Sequence, residues 1–267
     1  MVPGPFDAAL DSWRVWQESP WGQLRYRLAE FNLQRRLEEL GPGPLRVLDL
    51  AGADGGDALP LLRRGHHVTI ADFSPGMLAA ARERAERDGT GERLVTVEAD
   101  VFELPGAVTG SRYDVVLCHN LLQYLDDPAP AVRTAASLVR DGGVLSVMAL
   151  NRHAAALGLA VRSLDPAAAL DALDRRTTHG ETFATELTLH TAEEITPLLA
   201  ESGCTGIEHC GIRNVNDHIV DDSRKHDPDF FSALEALELA MTDRHPYPHT
   251  AKIFQLLARV GEPPATP

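Results

Sequence analysis

Apolar residues along this chain change their period in a regular order. Over residues 6–40, Leu24, Leu28, Phe31, Leu33 and Leu37 recur every three to four positions, which predicts helix. Gly41-Pro42-Gly43-Pro44 then stops it. From residue 45, short apolar runs alternate with helical stretches. Strands are expected at 45–50, 67–71, 93–97, 113–118 and 144–150, with helices at 56–64, 75–88 and 129–139 between them. Ser74-Pro75 supplies an N-cap and first turn for the second of these helices, and Asp141-Gly142-Gly143 closes the third. Residues 151–190 break the rhythm: they are Ala-rich and helical in pattern, and read as an insertion. Helix resumes at 191–201, strand at 204–212, helix at 229–241 and a last strand at 251–260.

Strands joined by crossover helices predict a mostly parallel sheet covered by helices on both faces. The expected division is a helical lid over 1–44, a main α/β domain over 45–260 carrying the helical insertion 151–190, and a disordered tail over 261–267.

Composition narrows the function classes. The chain has 267 residues, 44% hydrophobic and 24% charged, which suits a soluble globular protein. No apolar run is long enough to span a bilayer, and the first ten residues lack the pattern of an export signal. Cys118, Cys204 and Cys210 are an odd, sparse set with no zinc spacing, as expected of reduced thiols in the cytoplasm; no metal is expected. A formal net charge of −14 disfavours general polynucleotide binding and favours a small-molecule partner.

In an open α/β sheet, ligands sit beyond the carboxyl ends of the strands, so those ends carry the candidate chemistry. After the first strand, Asp49-Leu50-Ala51-Gly52-Ala53-Asp54-Gly55-Gly56 makes a turn of small residues that a ligand can approach closely. It is not the G-x-G-x-x-G of a dinucleotide site. Asp72, past the second strand, is placed to accept from both hydroxyls of a ribose, with Phe73 beside it. Asp100, with the backbone of Val101, is placed to read an adenine edge, and His119 ends the fourth strand.

The series VLDLAGADGG, ADFSPGML, EADVFELP, YDVVLCHNLLQYLDDP and DGGVLSVM resembles the class I methyltransferases that use S-adenosylmethionine (SAM). That resemblance implies a Rossmann-like sheet of seven strands, the last antiparallel, and SAM as cofactor. Gly22-Gln23-Leu24-Arg25, Gly211-Ile212-Arg213 with Asp217, and the helix before Pro246-Tyr247 extend the likeness toward the bacterial tRNA 5-carboxymethoxyuridine methyltransferase group. By that resemblance Arg25 holds the SAM carboxylate, Asp49, Ala51 and Gly52 line the methionine end, and Asp72 and Phe73 meet the ribose. Asp100 and Val101 take adenine, and His119 flanks the methionine moiety. Ala51 and Ala53 stand where the related loop carries glycine.

Candidates on the acceptor side are His119, Tyr124, Arg213, Asp217, His218 and Tyr247, with His245 and His249 as further possible bases. Arg213 suits a bidentate grip on a carboxylate, or an ion pair with Asp217 or Asp221. Trp13, Trp16 and Trp21 either lid the cofactor or staple the helix to the sheet. Three functional readings remain open. The first is methyl transfer to a small molecule, as in secondary metabolism. The second is methylation of a tRNA wobble-uridine carboxyl. The third, motivated by a Cβ at Ala53, is a methyltransferase fold that catalyses cyclisation or elimination or serves as a binding partner.

Overall fold

The computed structural model describes residues 9–180 and 182–261. The N-terminal segment is two helices, α1 (Leu10–Glu18) and α2 (Pro20–Glu38), rather than one. The break lies at Ser19-Pro20: the Ser19 hydroxyl accepts from Gly22 N at 3.1 Å and Pro20 starts the new helix. Gly22 is required at this corner, because a Cβ there would sit 2.9 Å from the Gln17 carbonyl oxygen and closer still to that of Trp16. Leu24, Leu28, Leu33 and Leu37 of α2 are buried, each contributing about 1.5–3 kcal/mol. Phe31, counted in the same stripe, faces outward instead and lies under the Arg35 guanidinium.

The main domain runs β1 (Arg46–Leu50), α3 (Ala58–Arg63), β2 (His67–Asp72), α4 (Pro75–Arg87), β3 (Leu94–Glu98), the short α5 (Gly106–Thr109), β4 (Tyr113–His119), α6 (Ala129–Leu138) and β5 (Val139–Leu150). The predicted turn at Asp141-Gly142-Gly143 survives as a register shift, with Tyr113 paired to Val139 and Val115 to Val144. The insertion follows as α7 (His153–Val161), α8 (Pro166–Ala172), β6 (Thr177–Gly180) and β7 (Thr185–Thr188). Its second half is therefore an antiparallel hairpin and not helix. Then come α9 (Ala192–Glu201), β8 (Cys204–Ile212), α10 (Pro228–Met241) and β9 (Ile253–Val260). Of the expected tail, Gly261 is described, and 262–267 lie outside the described residues along with 1–8.

The large sheet has the order β3-β2-β1-β4-β5-β9-β8. The pairs among β1 to β5 are parallel, and β9 is antiparallel to both of its neighbours. This is the expected Rossmann-like α/β sheet of seven mostly parallel strands. One face packs Leu121, Val132, Ala135 and Ile195 on Leu48, Val116 and Phe254; the other packs Leu37, Leu59, Leu62 and Leu78 on Val47, Val68 and Val115. A third cluster joins Leu24 and Leu28 of α2 to Leu234 of α10 over Met148, Ile212 and Ile253. The strand order reverses between β1 and β4, which fixes the crevice where a ligand is expected.

Candidate active site

A cavity of about 270 Å³ opens at that crevice. Its floor is the turn after β1. Ala51, Ala53 and Gly55 there have φ of 59°, 47° and 75°, so two alanines occupy left-handed backbone that normally favours glycine. The turn is held from β2: Ala51 N donates to Ala71 O at 2.7 Å, and Ala53 N to Asp72 Oδ2 at 2.9 Å. The other Asp72 oxygen accepts from Ser74 N at 2.8 Å, and Ser74 caps α4 as expected. Gly52 has no room for a side chain; a Cβ would lie 2.5 Å from Asp49 Oδ2.

Of the residues expected around the cofactor, Arg25, Asp49, Ala51, Gly52, Asp72, Phe73 and His119 line this cavity. Asp100 and Val101 line a small adjoining recess, which shares Ala51, Asp72, Phe73 and Leu121 with the main space. Asp100 Oδ1 accepts from Phe102 N at 3.0 Å, a local turn that fixes its carboxylate beside the recess.

Charge at this end is dominated by carboxylates. Burial, and then the neighbouring charge of Asp57, push Asp49 well above the usual carboxyl range, and its Oδ2 is buried without a partner. Asp57 is opposite in sign. Burial would raise it, but the Arg25 guanidinium and then His119 hold it well below the usual range. Arg25 is 2% exposed and donates from Nη1 to Asp57 Oδ1 at 2.6 Å, while its guanidinium lies over the Tyr26 ring. Asp57 thus organises the site, although sequence reasoning did not single it out.

His119 is hydrogen-bonded through one ring nitrogen and makes a close carboxylate contact, without hydrogen-bond geometry, through the other. Nε2 lies 2.7 Å from Ser146 Oγ, and Nδ1 lies 3.1 Å from Asp57 Oδ2. The Ser–His–Asp order invites comparison with a nucleophilic triad. However, Ser146 is fully buried, accepts from Gln255 Nε2 at 3.1 Å and does not line the cavity, so it is no nucleophile.

The opposite end is lined by Gln123, Tyr124, Leu150, Phe183, Leu187, Arg213 and Lys252. Arg213 grips Asp217 in bidentate fashion, Nε to Oδ2 at 2.7 Å and Nη2 to Oδ1, in a largely buried pair. Burial opposes the ionised form of Asp217, yet Arg213 brings its carboxyl down to about 2. Lys252 stands beside this pair; desolvation lowers its pKa, and Asp217 partly offsets that. Burial pushes the Tyr124 phenol up to about 12. His218 and Asp217 line a side recess that shares Lys252 with the main cavity. Tyr247 is 40% exposed and lies away from the cavity, so the acceptor-side role expected for it finds no support in its position. His245 and His249 likewise stand apart, stacked edge to face on one another, with His249 Nδ1 2.7 Å from Glu193.

The roof is aromatic. Trp13 and Trp16 line the cavity and stack at 4.9 Å with 7° between planes, and Trp13 meets Phe183 of the β6–β7 hairpin at 5.6 Å. Trp21 does something different: it packs edge to face on His226 and lies near Lys225 Nζ. Trp13 and Trp16 thus face the cavity, while Trp21 packs on the Asp222–His226 turn. Among the described residues, no group of three or more His, Cys, Asp or Glu side chains could hold a metal, and no helix is long and apolar enough to cross a membrane.

The arrangement suits SAM. Its ammonium and sulfonium are cationic, and the cavity presents Asp49, Asp57 and Asp72 with Arg25 as the nearby positive group; the partnerless Asp49 oxygen is an acceptor awaiting a donor. A strand-tip crevice on this strand order is that of the class I methyltransferase fold. The chain carries a methyltransferase domain of the class I fold. The family described as methyltransferase domain matches residues 47–143. The chain is similar to the tRNA 5-carboxymethoxyuridine methyltransferase of Escherichia coli O157:H7, 27% identical over 89% of this chain and 88% of that one. It is also similar to the ubiquinone biosynthesis O-methyltransferase of Xanthomonas euvesicatoria pv. vesicatoria, 35% identical over 47% of this chain and 50% of the relative. Among solved structures, the S-adenosylhomocysteine-bound magnesium protoporphyrin IX methyltransferase of Synechocystis PCC 6803 shares the fold, with TM-score 0.61 at 17% identity over 95% of each chain.

Proposed function

We propose that the chain transfers the SAM methyl group to an anionic oxygen, of the carboxylate class, on a small acceptor. The observation that carries this reading is the pairing of Lys252 and Arg213 at the end of the cavity away from the carboxylate cluster, beneath the roof of Trp13, Trp16 and Phe183. Asp49 would accept from the cofactor ammonium, Arg25 would meet its carboxylate, Asp72 would take the ribose hydroxyls, and Asp100 with Val101 would read adenine. When bound, SAM supplies an electrophilic methyl on a sulfonium. Lys252 and Arg213 orient the acceptor oxygen toward that methyl, and the aromatic roof excludes water from the line of attack. A carboxylate needs no general base. That agrees with His119, whose Nε2 is bonded to the buried Ser146 and whose Nδ1 faces Asp57, and with Tyr124, a phenol that stays protonated at neutral pH.

A second reading has its own support: the tRNA-modifying relative matches over nearly the whole length. The two readings separate in one assay. Methyl-labelled SAM is incubated with the protein and either tRNA carrying 5-carboxymethoxyuridine or a panel of small aromatic and aliphatic carboxylic acids. Transfer to a small acid, lost in Lys252→Gln, supports the proposal. Efficient transfer to the tRNA alone rejects the small acceptor, and transfer unaffected by Lys252→Gln rejects the anion grip.

A further inference from the structure

We propose that Asp54 is a positioning residue that pins the N-terminal helix, and with it the aromatic roof, over the bound cofactor. The proposal rests on the reading of the cavity as the SAM site.

Helix α1 has no fully buried apolar residue: Leu10, Trp13 and Trp16 are only half-buried. Of its nine residues only Gln17 is buried, and Val15 is 71% exposed. A helix this short and this exposed needs another anchor. The anchor is one carboxylate. Asp54 is 1% exposed; its Oδ1 accepts from Trp13 Nε1 and from Gln17 Nε2, each at 3.1 Å. Trp13 and Gln17 are one helical turn apart, so a single oxygen ties one face of α1. The other oxygen accepts from Arg84 Nη1, which supplies the counter-charge from α4 and also reaches Gln17 Oε1 at 3.3 Å. Gln17 Nε2 lies 2.8 Å from the Tyr26 hydroxyl as well, which links the same knot to α2.

The position of Asp54 in the chain gives the knot its meaning. It sits between Ala53 and Gly55 in the turn that floors the cavity, and the Ala53 N–H is held by Asp72. One strained loop thus contacts the space below through its backbone and the roof above through one side chain. Trp13 passes this on to Trp16 and Phe183 by ring stacking. Displacement of the loop moves the roof, and release of the roof opens the cavity.

The test is the dissociation rate of S-adenosylhomocysteine, followed by stopped-flow tryptophan fluorescence, alongside thermal melting of each protein. Asp54→Asn keeps the shape and removes the charge; Trp13→Phe keeps an aromatic ring for the stack while removing the indole N–H together with part of the ring. Each is expected to release the ligand about tenfold faster, the scale of one lost charge-assisted hydrogen bond. The double variant should be no faster than Asp54→Asn, because both act through the same bond. Wild-type release rates in both single variants, or rates that multiply in the double variant, would overturn the proposal. If Asp54→Asn does not fold, Trp13→Phe, which leaves the Asp54–Arg84 pair intact, decides alone. Failure of the unaltered protein to bind S-adenosylhomocysteine would overturn the site reading and this proposal together, and so is distinguishable from failure of the pin.

Discussion

Removal of the Glu238 carboxylate should destabilise the fold and leave cofactor binding intact. Glu238, on α10, is fully buried and accepts from three successive backbone groups, Asn214 N at 2.6 Å, Val215 N at 2.9 Å and Asn216 N at 2.7 Å, and from Asn214 Nδ2 at 3.2 Å. These residues follow Arg213, whose backbone sits at φ 64°, a left-handed conformation that a non-glycine residue holds only when its surroundings enforce it. Glu238→Ala leaves the Asn214 and Asn216 N–H groups orphaned, at about 1–3 kcal/mol each, or about 4 kcal/mol in all. Glu238→Gln keeps one acceptor oxygen but turns an NH2 toward an N–H and removes the charge, for about 2 kcal/mol. For a chain of this size, each kcal/mol moves the melting temperature by about 2–4 °C. Calorimetry should therefore find the Gln variant melting about 4–8 °C lower and the Ala variant about 8–16 °C lower. SAM titration should give affinities close to wild type for both, since Asp49 and Asp72 are held by other elements. A Gln variant that melts within about 1 °C of wild type would refute the clamp, and lost SAM affinity would refute the separation of the two ends.

Asp72→Asn should weaken SAM binding by about 5- to 150-fold, because it removes charge from the ribose acceptor and loosens the Ala53 tether; an unchanged dissociation constant by calorimetry would reject the assignment. Ala53→Gly should raise the melting temperature by about 2–4 °C, since relief of about 1–2 kcal/mol of left-handed strain exceeds, by about 1 kcal/mol, the roughly 0.4–1 kcal/mol of chain entropy that glycine adds; an unchanged or lower melting point would show that the loop is not strained there. His209 is held neutral by burial and then by His249, with its pKa lowered to about 4 from 6.5. Its contribution to stability is complete above pH 6.5 and is lost as pH falls toward 4, where the unfolded chain takes up the proton first. In urea titrations His209→Gln should lose less stability than wild type between pH 7 and 4, and parallel curves would refute this.

The strand tips were legible because their signals are local. A run such as VLDLAGADGG carries a buried strand and a tight turn in adjacent residues, and Ser74-Pro75 is a complete cap signal in itself. The same Ser-Pro signature at Ser19-Pro20 marks the break in the N-terminal helix, but the leucine repeat begins only at Leu24 and gives no sign of it. The hairpin at 177–188 was hidden for another reason. Its strands are four residues each, too short for a period of two to stand out beside the Ala-rich helices before them, and they gain support from Leu187, packed down toward the cavity. Asp54, Asp57 and Lys252 carry no local mark at all. A carboxylate in a turn and a lysine at the head of a strand look like surface residues until three-dimensional packing brings Arg84, Arg25 or Asp217 against them.

The two ends of the cavity differ in sign, and that difference bears on the choice of acceptor. Asp57 and Asp72 outnumber Arg25 at one end, while Arg213 and Lys252 outnumber Asp217 at the other. A neutral hydroxyl or amine acceptor would leave the net positive charge of Arg213, Lys252 and Asp217 unbalanced and would require a base that His119 and Tyr124 are poorly placed to provide. An anionic oxygen satisfies both conditions. It also exploits the roof, because attack of an anion on a sulfonium consumes opposite charges, and such a reaction runs against less resistance where water no longer stabilises the separated ions. On this argument Trp13, Trp16 and Phe183 contribute to rate as well as to binding. Their removal should slow transfer to a carboxylate more than it weakens the hold on the cofactor.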